Sequence, residues 1–99
     1  MNQYRVLWSE NAISSLQSIK DFIAQDSSQA ALKVVHSIFE SVESLAIHPN
    51  RFQLDEFFEN NPGTIRRFFK WNYRIIYEVR DSRVEIIDII HTSREPHKK

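Results

Sequence analysis

A chain of 99 residues can bury one modest hydrophobic core and no more, and 41% hydrophobic with 26% charged residues is ordinary for a globular domain. With no cysteine there is no disulfide framework and no thiolate metal site. No apolar run approaches the roughly 20 residues that span a bilayer, and the opening M-N-Q-Y-R-V-L-W lacks the apolar stretch of a secretory signal, so neither a membrane span nor a leader is expected.

Thirteen basic and thirteen acidic side chains balance, but unevenly along the chain. Residues 1–63 hold four basic and eight acidic groups, residues 64–99 nine and five. The basic third sets up a local field rather than bulk affinity for nucleic acid. A solvated strand face is the plainer alternative.

Residues 3–8 alternate as a short strand, with Tyr4, Val6 and Trp8 on one side. Ser9 offers an N-cap hydroxyl, and Ile13, Leu16, Ile19 and Ile23 then recur at helical spacing to about Gln25. Asp26, Ser27 and Ser28 break the run and supply the next cap. A second helix follows from about Gln29 to Ala46, with Ala31, Val34, Val35, Ile38, Val42 and Leu45 as its buried stripe. Pro49 ends it, and a break this short between two helices predicts an antiparallel pair. Residues 49–63 read as an irregular crossing with at most one helical turn, although Phe52, Leu54, Phe57 and Phe58 need cover.

From Thr64 to Arg94 three β-rich runs are separated by Trp71-Asn72 and Asp81-Ser82, which predicts a meander with two-residue turns. The order β-α-α-β-β-β makes an α+β fold: a helical hairpin on one face of a small antiparallel sheet, with residues 1–99 as a single domain. Turns at those two pairs set Arg67 against Ile76, Phe69 against Arg74, and Arg74 against Ile89. Alternation then gathers Arg67, Arg74 and His91 on one face beside Phe69, Ile76, Ile87 and Ile89. Tyr73, Ile75, Tyr77, Val84, Ile86 and Ile90 fall on the other, helix-covered face.

Two guanidiniums and an imidazole over an aromatic ring are a suggestive set. Guanidinium holds a phosphate in bidentate geometry at any working pH, and histidine exchanges a proton near neutrality. Cleavage of RNA through its own 2′-hydroxyl needs only a base, an acid and positive charge, so neither metal nor cofactor is called for. Arg66, Lys70, Trp71 and Tyr73 add cations and stacking rings beside the set. His91 as a mere strand end is the alternative. Other chemistries find no footing: the single glycine, Gly63, excludes a phosphate-cradling loop, and His36, His48, His91 and His97 lack ligand spacing.

Y-R-I-I-Y-E-V at 73–79 and I-I-D-I-I-H-T-S-R at 86–94, with I-R-R-F before them, resemble the RelE/ParE superfamily of type II toxin–antitoxin toxins. W-S-E-N-A-I-S-S-L at 8–16, D-F-I-A-Q-D-S at 21–27 and the L-A-I-H-P helix end are similar as well, so the likeness runs through nearly the whole chain. The resemblance implies the β-α-α-β-β-β fold, a toxin neutralised by a cognate antitoxin that wraps it, and one of two activities. The expected one is ribosome-dependent, metal-independent endonuclease cleavage of mRNA, arresting translation; the alternative is poisoning of DNA gyrase without nuclease chemistry. Arg74 matches the arginine of the RelE-type Y-R-[LI]-[VI]-Y motif, and Arg94 the arginine just past the last strand. Arg67 stands where those enzymes carry a lysine, and His91 resembles the strand-end histidine of YoeB- and HigB-like nucleases, although H-x-x-R is also ParE-like. The implied catalytic set is Arg74, His91 and Arg94, with Arg66, Arg67, Lys70, Trp71 and Tyr73 binding RNA. RelE-type nucleases also carry a catalytic tyrosine on a C-terminal segment, and no tyrosine follows Tyr77 here.

Overall fold

The structure, a computed structural model, describes residues 3–94. Strand β1 (Arg5–Trp8) leads into α1 (Glu10–Ala24), and α2 (Ser28–Glu43) runs on into a 3-10 turn at Ser44–Ala46. A second 3-10 turn, Pro49–Arg51, precedes the meander of β2 (Ile65–Lys70), β3 (Tyr73–Arg80) and β4 (Arg83–His91). Both helices start where a serine can satisfy the first free amides. Ser9 accepts from the Ala12 amide at 3.0 Å and Ser27 from the Ala30 amide at 3.1 Å.

The two helices cover one face of the sheet. Ala12 of α1, Ile38 and Val42 of α2, and Leu45 just beyond pack on Phe68, Ile75, Tyr77, Val84, Ile86 and Ile89. Full burial stabilises by about 1.5–3 kcal/mol for each large aliphatic side chain, before the entropy of ordering it. The α2 stripe is as expected at Ala31, Ile38, Val42 and Leu45, while Val34 and Val35 are half-buried. Tyr77, the largest side chain in this layer, donates its hydroxyl proton to the Pro49 carbonyl at 2.6 Å and so ties β3 to the turn after α2.

The strand order is β1-β4-β3-β2. The α+β reading holds, with one departure from an all-antiparallel sheet: β1 lies parallel to β4, Arg5 beside Arg83 and Trp8 beside Ile86. Both hairpins have the expected two-residue turns, Lys70 facing Tyr73 and Arg80 facing Arg83.

Candidate functional site

Beyond the second hairpin the expected register fails. Between Ile76 and Tyr77 the ladder shifts: Tyr77 faces Ile86 but Ile76 faces Asp88, so β4 carries one extra residue. The bulge reverses the parity of everything after it. Arg74 faces Ile90 rather than Ile89, and His91 faces Tyr73. Ile89 therefore joins the helix-covered core and Ile90 leaves it. His91 goes with Tyr73 to the helix side, opposite to Arg67 and Arg74. The expected gathering of Arg67, Arg74 and His91 on one face is thus corrected: the two arginines share a face and the histidine does not.

On the open face the arginines are already engaged. Residues 53–55 extend the sheet beyond β2: the Arg67 amide donates to the Gln53 carbonyl at 3.2 Å and the Asp55 amide to the Ile65 carbonyl at 2.9 Å. Asn61 pins the return, donating to the Asp55 and Ile65 carbonyls at 3.1 and 2.8 Å. From this added edge Asp55 forms an ion pair with Arg74 in which the arginine side chain is 4% exposed and the carboxylate fully buried. The Phe57 ring centroid lies 5.2 Å from the same guanidinium. Glu56 takes Arg67 in a two-point bond, Nε at 2.9 Å and Nη2 at 2.8 Å, and these bonds hold the Glu56 carboxyl down at about 2.

On the helix side a groove of about 650 Å³ opens between α1 and the ends of β3 and β4, lined by Ser14, Ser15, Ser18, Phe22, Tyr73 and His91 among others. The Tyr73 and His91 rings meet edge to face, centroids 5.2 Å apart. His91 Nδ1 accepts the Ser93 amide at 3.1 Å, with the Ser93 hydroxyl at 2.7 Å. An amide can only donate, so Nδ1 holds a lone pair and the proton of the neutral ring is on Nε2. Arg94 closes the last 3-10 turn, Thr92–Arg94, and its side chain lies outside the described residues.

The expected RNA-binding set is divided as well. Arg67 is on the open face, while Arg66 and Lys70 alternate to the helix side with Tyr73. The Arg66 guanidinium is bonded to the Phe52 carbonyl at 2.5 Å. Trp71 stands at the hairpin tip, half exposed, with the Lys70 ammonium 5.1 Å from its ring centroid. Among the described residues no three His, Asp or Glu side chains come together as metal ligands.

Comparison with known proteins settles the family. Residues 6–96 match the ParE toxin of type II toxin–antitoxin system, parDE. The chain belongs to this family. It is a toxin of a type II toxin–antitoxin system. It is similar to Toxin RelE2 of Caulobacter vibrioides, 32% identical over 91 residues that cover 91% of this chain and 97% of the relative. Two solved structures share the fold. The chromosomal ParDE system from P. aeruginosa aligns with a TM-score of 0.73 at 23% identity, over 90% of this chain and 96% of that one. The RelBE2 toxin–antitoxin complex from Mycobacterium tuberculosis aligns with a TM-score of 0.67 at 17% identity, over 92% and 93%.

The residues that sequence reasoning missed in this toxin are Asp55 and Glu56, which decide what Arg74 and Arg67 can do. A signal for them exists in F-Q-L-D-E-F-F at 52–58. Two adjacent carboxylates inside an apolar, chain-crossing segment call for cationic partners, above all where one of them is buried, and the basic meander is rich in them.

Proposed function

We propose that this toxin acts by binding a protein target, DNA gyrase, and not by cutting mRNA on the ribosome. The observation that carries the reading is the buried Arg74–Asp55 ion pair. A nuclease of this kind needs Arg74 to meet the scissile phosphate as charge develops on it, and here a carboxylate from the toxin's own chain already neutralises that arginine. The second support is the bulge, which sets His91 on the other side of the sheet from Arg74, so that the two groups do not converge on one phosphate. Of the two activities in this superfamily, the one that needs no such cluster is gyrase poisoning. The toxin would act in the cytoplasm, held in check by a cognate antitoxin, and no helix of its described residues is long and apolar enough to cross a membrane.

Two assays test this side by side: DNA supercoiling by purified gyrase, and ribosome-programmed mRNA cleavage, each with added toxin. The expected result is arrested supercoiling with intact mRNA, and filamentation with a DNA-damage response when the toxin is induced in cells. Cleaved mRNA with the wild type, and none with a folded Arg74→Ala, would overturn the proposal in favour of the ribosome-dependent nuclease.

A further inference from the structure

The hairpin between β2 and β3 is built against its own turn. Trp71 has φ +53° while Asn72 is not in the positive region. That is the φ pattern of a type II′ turn, whose first position ordinarily takes glycine. A bulky side chain there is an outlier. The other hairpin of the same sheet shows the ordinary solution, with the short polar residues Asp81 and Ser82 at φ +52° and +64°. Trp71 is no core residue: it is 54% exposed, and the Lys70 ammonium lies 5.1 Å from its ring centroid. Phe69, two residues before it, is 46% exposed with the Arg67 guanidinium 4.7 Å from its ring centroid. Backbone in such sparsely populated regions clusters at ligand clamps and binding sites, so an outlier that presents a large, half-exposed ring points to a binding role.

We infer that this hairpin tip is the anchor by which the toxin grips its target protein, Trp71 entering an apolar pocket with an acidic rim that pairs with Lys70. The inference rests on the reading that the toxin works by binding. A protein pocket fits better than a nucleic acid because three guanidiniums of this hairpin are tied to partners within the chain, two of them to carboxylates. Arg66 is bonded to the Phe52 carbonyl, Arg67 to Glu56 and Arg74 to Asp55. Lys70 stands at the tip itself, where it enters no ion pair among the described residues. One cation beside two rings lacks the continuous positive track that a phosphate backbone requires. It has the make-up of an interface hot spot, where a single aromatic anchor carries most of the binding and a flanking charge selects the partner.

The decisive variant is Trp71→Gly, which removes the ring and relieves the backbone together. A structural role predicts a loss of stability. An anchor predicts a melting temperature raised by about 2–6 °C, at least about 30-fold weaker inhibition of gyrase supercoiling, and binding to the co-expressed antitoxin within about threefold of wild type. Lys70→Glu should weaken inhibition in the same direction without shifting the melting temperature. Growth arrest in cells is scored alongside, since it depends on the target whatever its identity. If wild type arrests growth but leaves gyrase untouched, the gyrase reading falls and the anchor is judged on growth. Trp71→Gly as toxic as wild type then overturns it, and a harmless, folded Trp71→Gly upholds it. Loss of antitoxin binding in Trp71→Gly assigns the hairpin to the antitoxin and also overturns the inference. Tight binding of a labelled DNA duplex that Trp71→Gly abolishes would replace the protein pocket with a nucleic-acid site.

Discussion

The two faces of the sheet are both closed, but by different physics. Over one face the helices bury apolar side chains, and the strength of that layer is spread over Ile38, Val42, Leu45, Ile75, Ile86 and their neighbours. Over the other, the segment around residues 53–61 is latched by a few polar contacts, chief among them Asp55 to Arg74 and Glu56 to Arg67. β3 runs between these layers and is buried from Arg74 to Tyr77, with Ile76 adding apolar burial beside Arg74 on the latched face. Apolar closure loses stability by degrees when one group is trimmed. Ionic closure is conditional, because either partner alone is worse than neither.

The sharpest way to break the comparison is therefore Asp55→Ala. It removes one partner of a buried ion pair, which should destabilise by about 3–5 kcal/mol in chemical denaturation. Adding Arg74→Met to the same chain should recover most of that loss, since a hydrophobic replacement of a whole buried pair is often neutral or better. A double mutant no more stable than Asp55→Ala would show that the latch acts through backbone geometry, not charge. Recovery would also give a folded toxin with no guanidinium at position 74, whose growth arrest asks directly whether that arginine has any task beyond structure.

These two layers were not equally legible in the sequence. The helical layer announced itself locally, through serine caps and apolar spacing, and both hairpins through two-residue turns. Register was legible only as far as the bulge. I-I-D-I-I at 86–90 offers an isoleucine to each face in either register, so a one-residue slip leaves the hydrophobic pattern intact and cannot be detected from it. That degeneracy is why His91 was expected beside Arg74. The latch was illegible for a different reason: Asp55 and Arg74 are 19 residues apart and their pairing is fixed by the fold, not by any periodicity. The parallel pairing of β1 shares that cause, as four alternating residues carry no mark of their partner strand.

A smaller effect sharpens the helix face. Burial pushes the Tyr77 phenol up to about 12, above the ordinary value of 10.0. The folded state thus keeps a proton that the unfolded chain loses, so stability is full below about pH 10 and falls between about 10 and 12. Tyr77→Phe removes both this alkaline loss and the bond to the Pro49 carbonyl, at a cost near neutral pH of about 1–2 kcal/mol. Equal alkaline sensitivity in wild type and Tyr77→Phe would place the titrating group elsewhere.

The open face should show the opposite window, and a weaker one. Hydrogen bonds from Arg67 depress the Glu56 carboxyl to about 2 from an ordinary 4.5. Here the unfolded chain takes up the proton first, so the contribution is fully present above about pH 4.5 and is lost as pH falls through about 2. The Glu56 side chain is 47% exposed, so water and salt screen the pair and its worth is at most about 1 kcal/mol. Glu56→Gln should therefore cost little at neutral pH and flatten the acid limb of the stability curve, with the difference from wild type shrinking as salt is raised. The same substitution in an Asp55→Ala background should cost less still, because the latch it helps to hold is already open. Denaturation followed from pH 7 to pH 2 at low and high salt checks both statements. An acid limb unchanged in Glu56→Gln would leave Asp55 as the only carboxylate of the latch that contributes measurably to closing the open face.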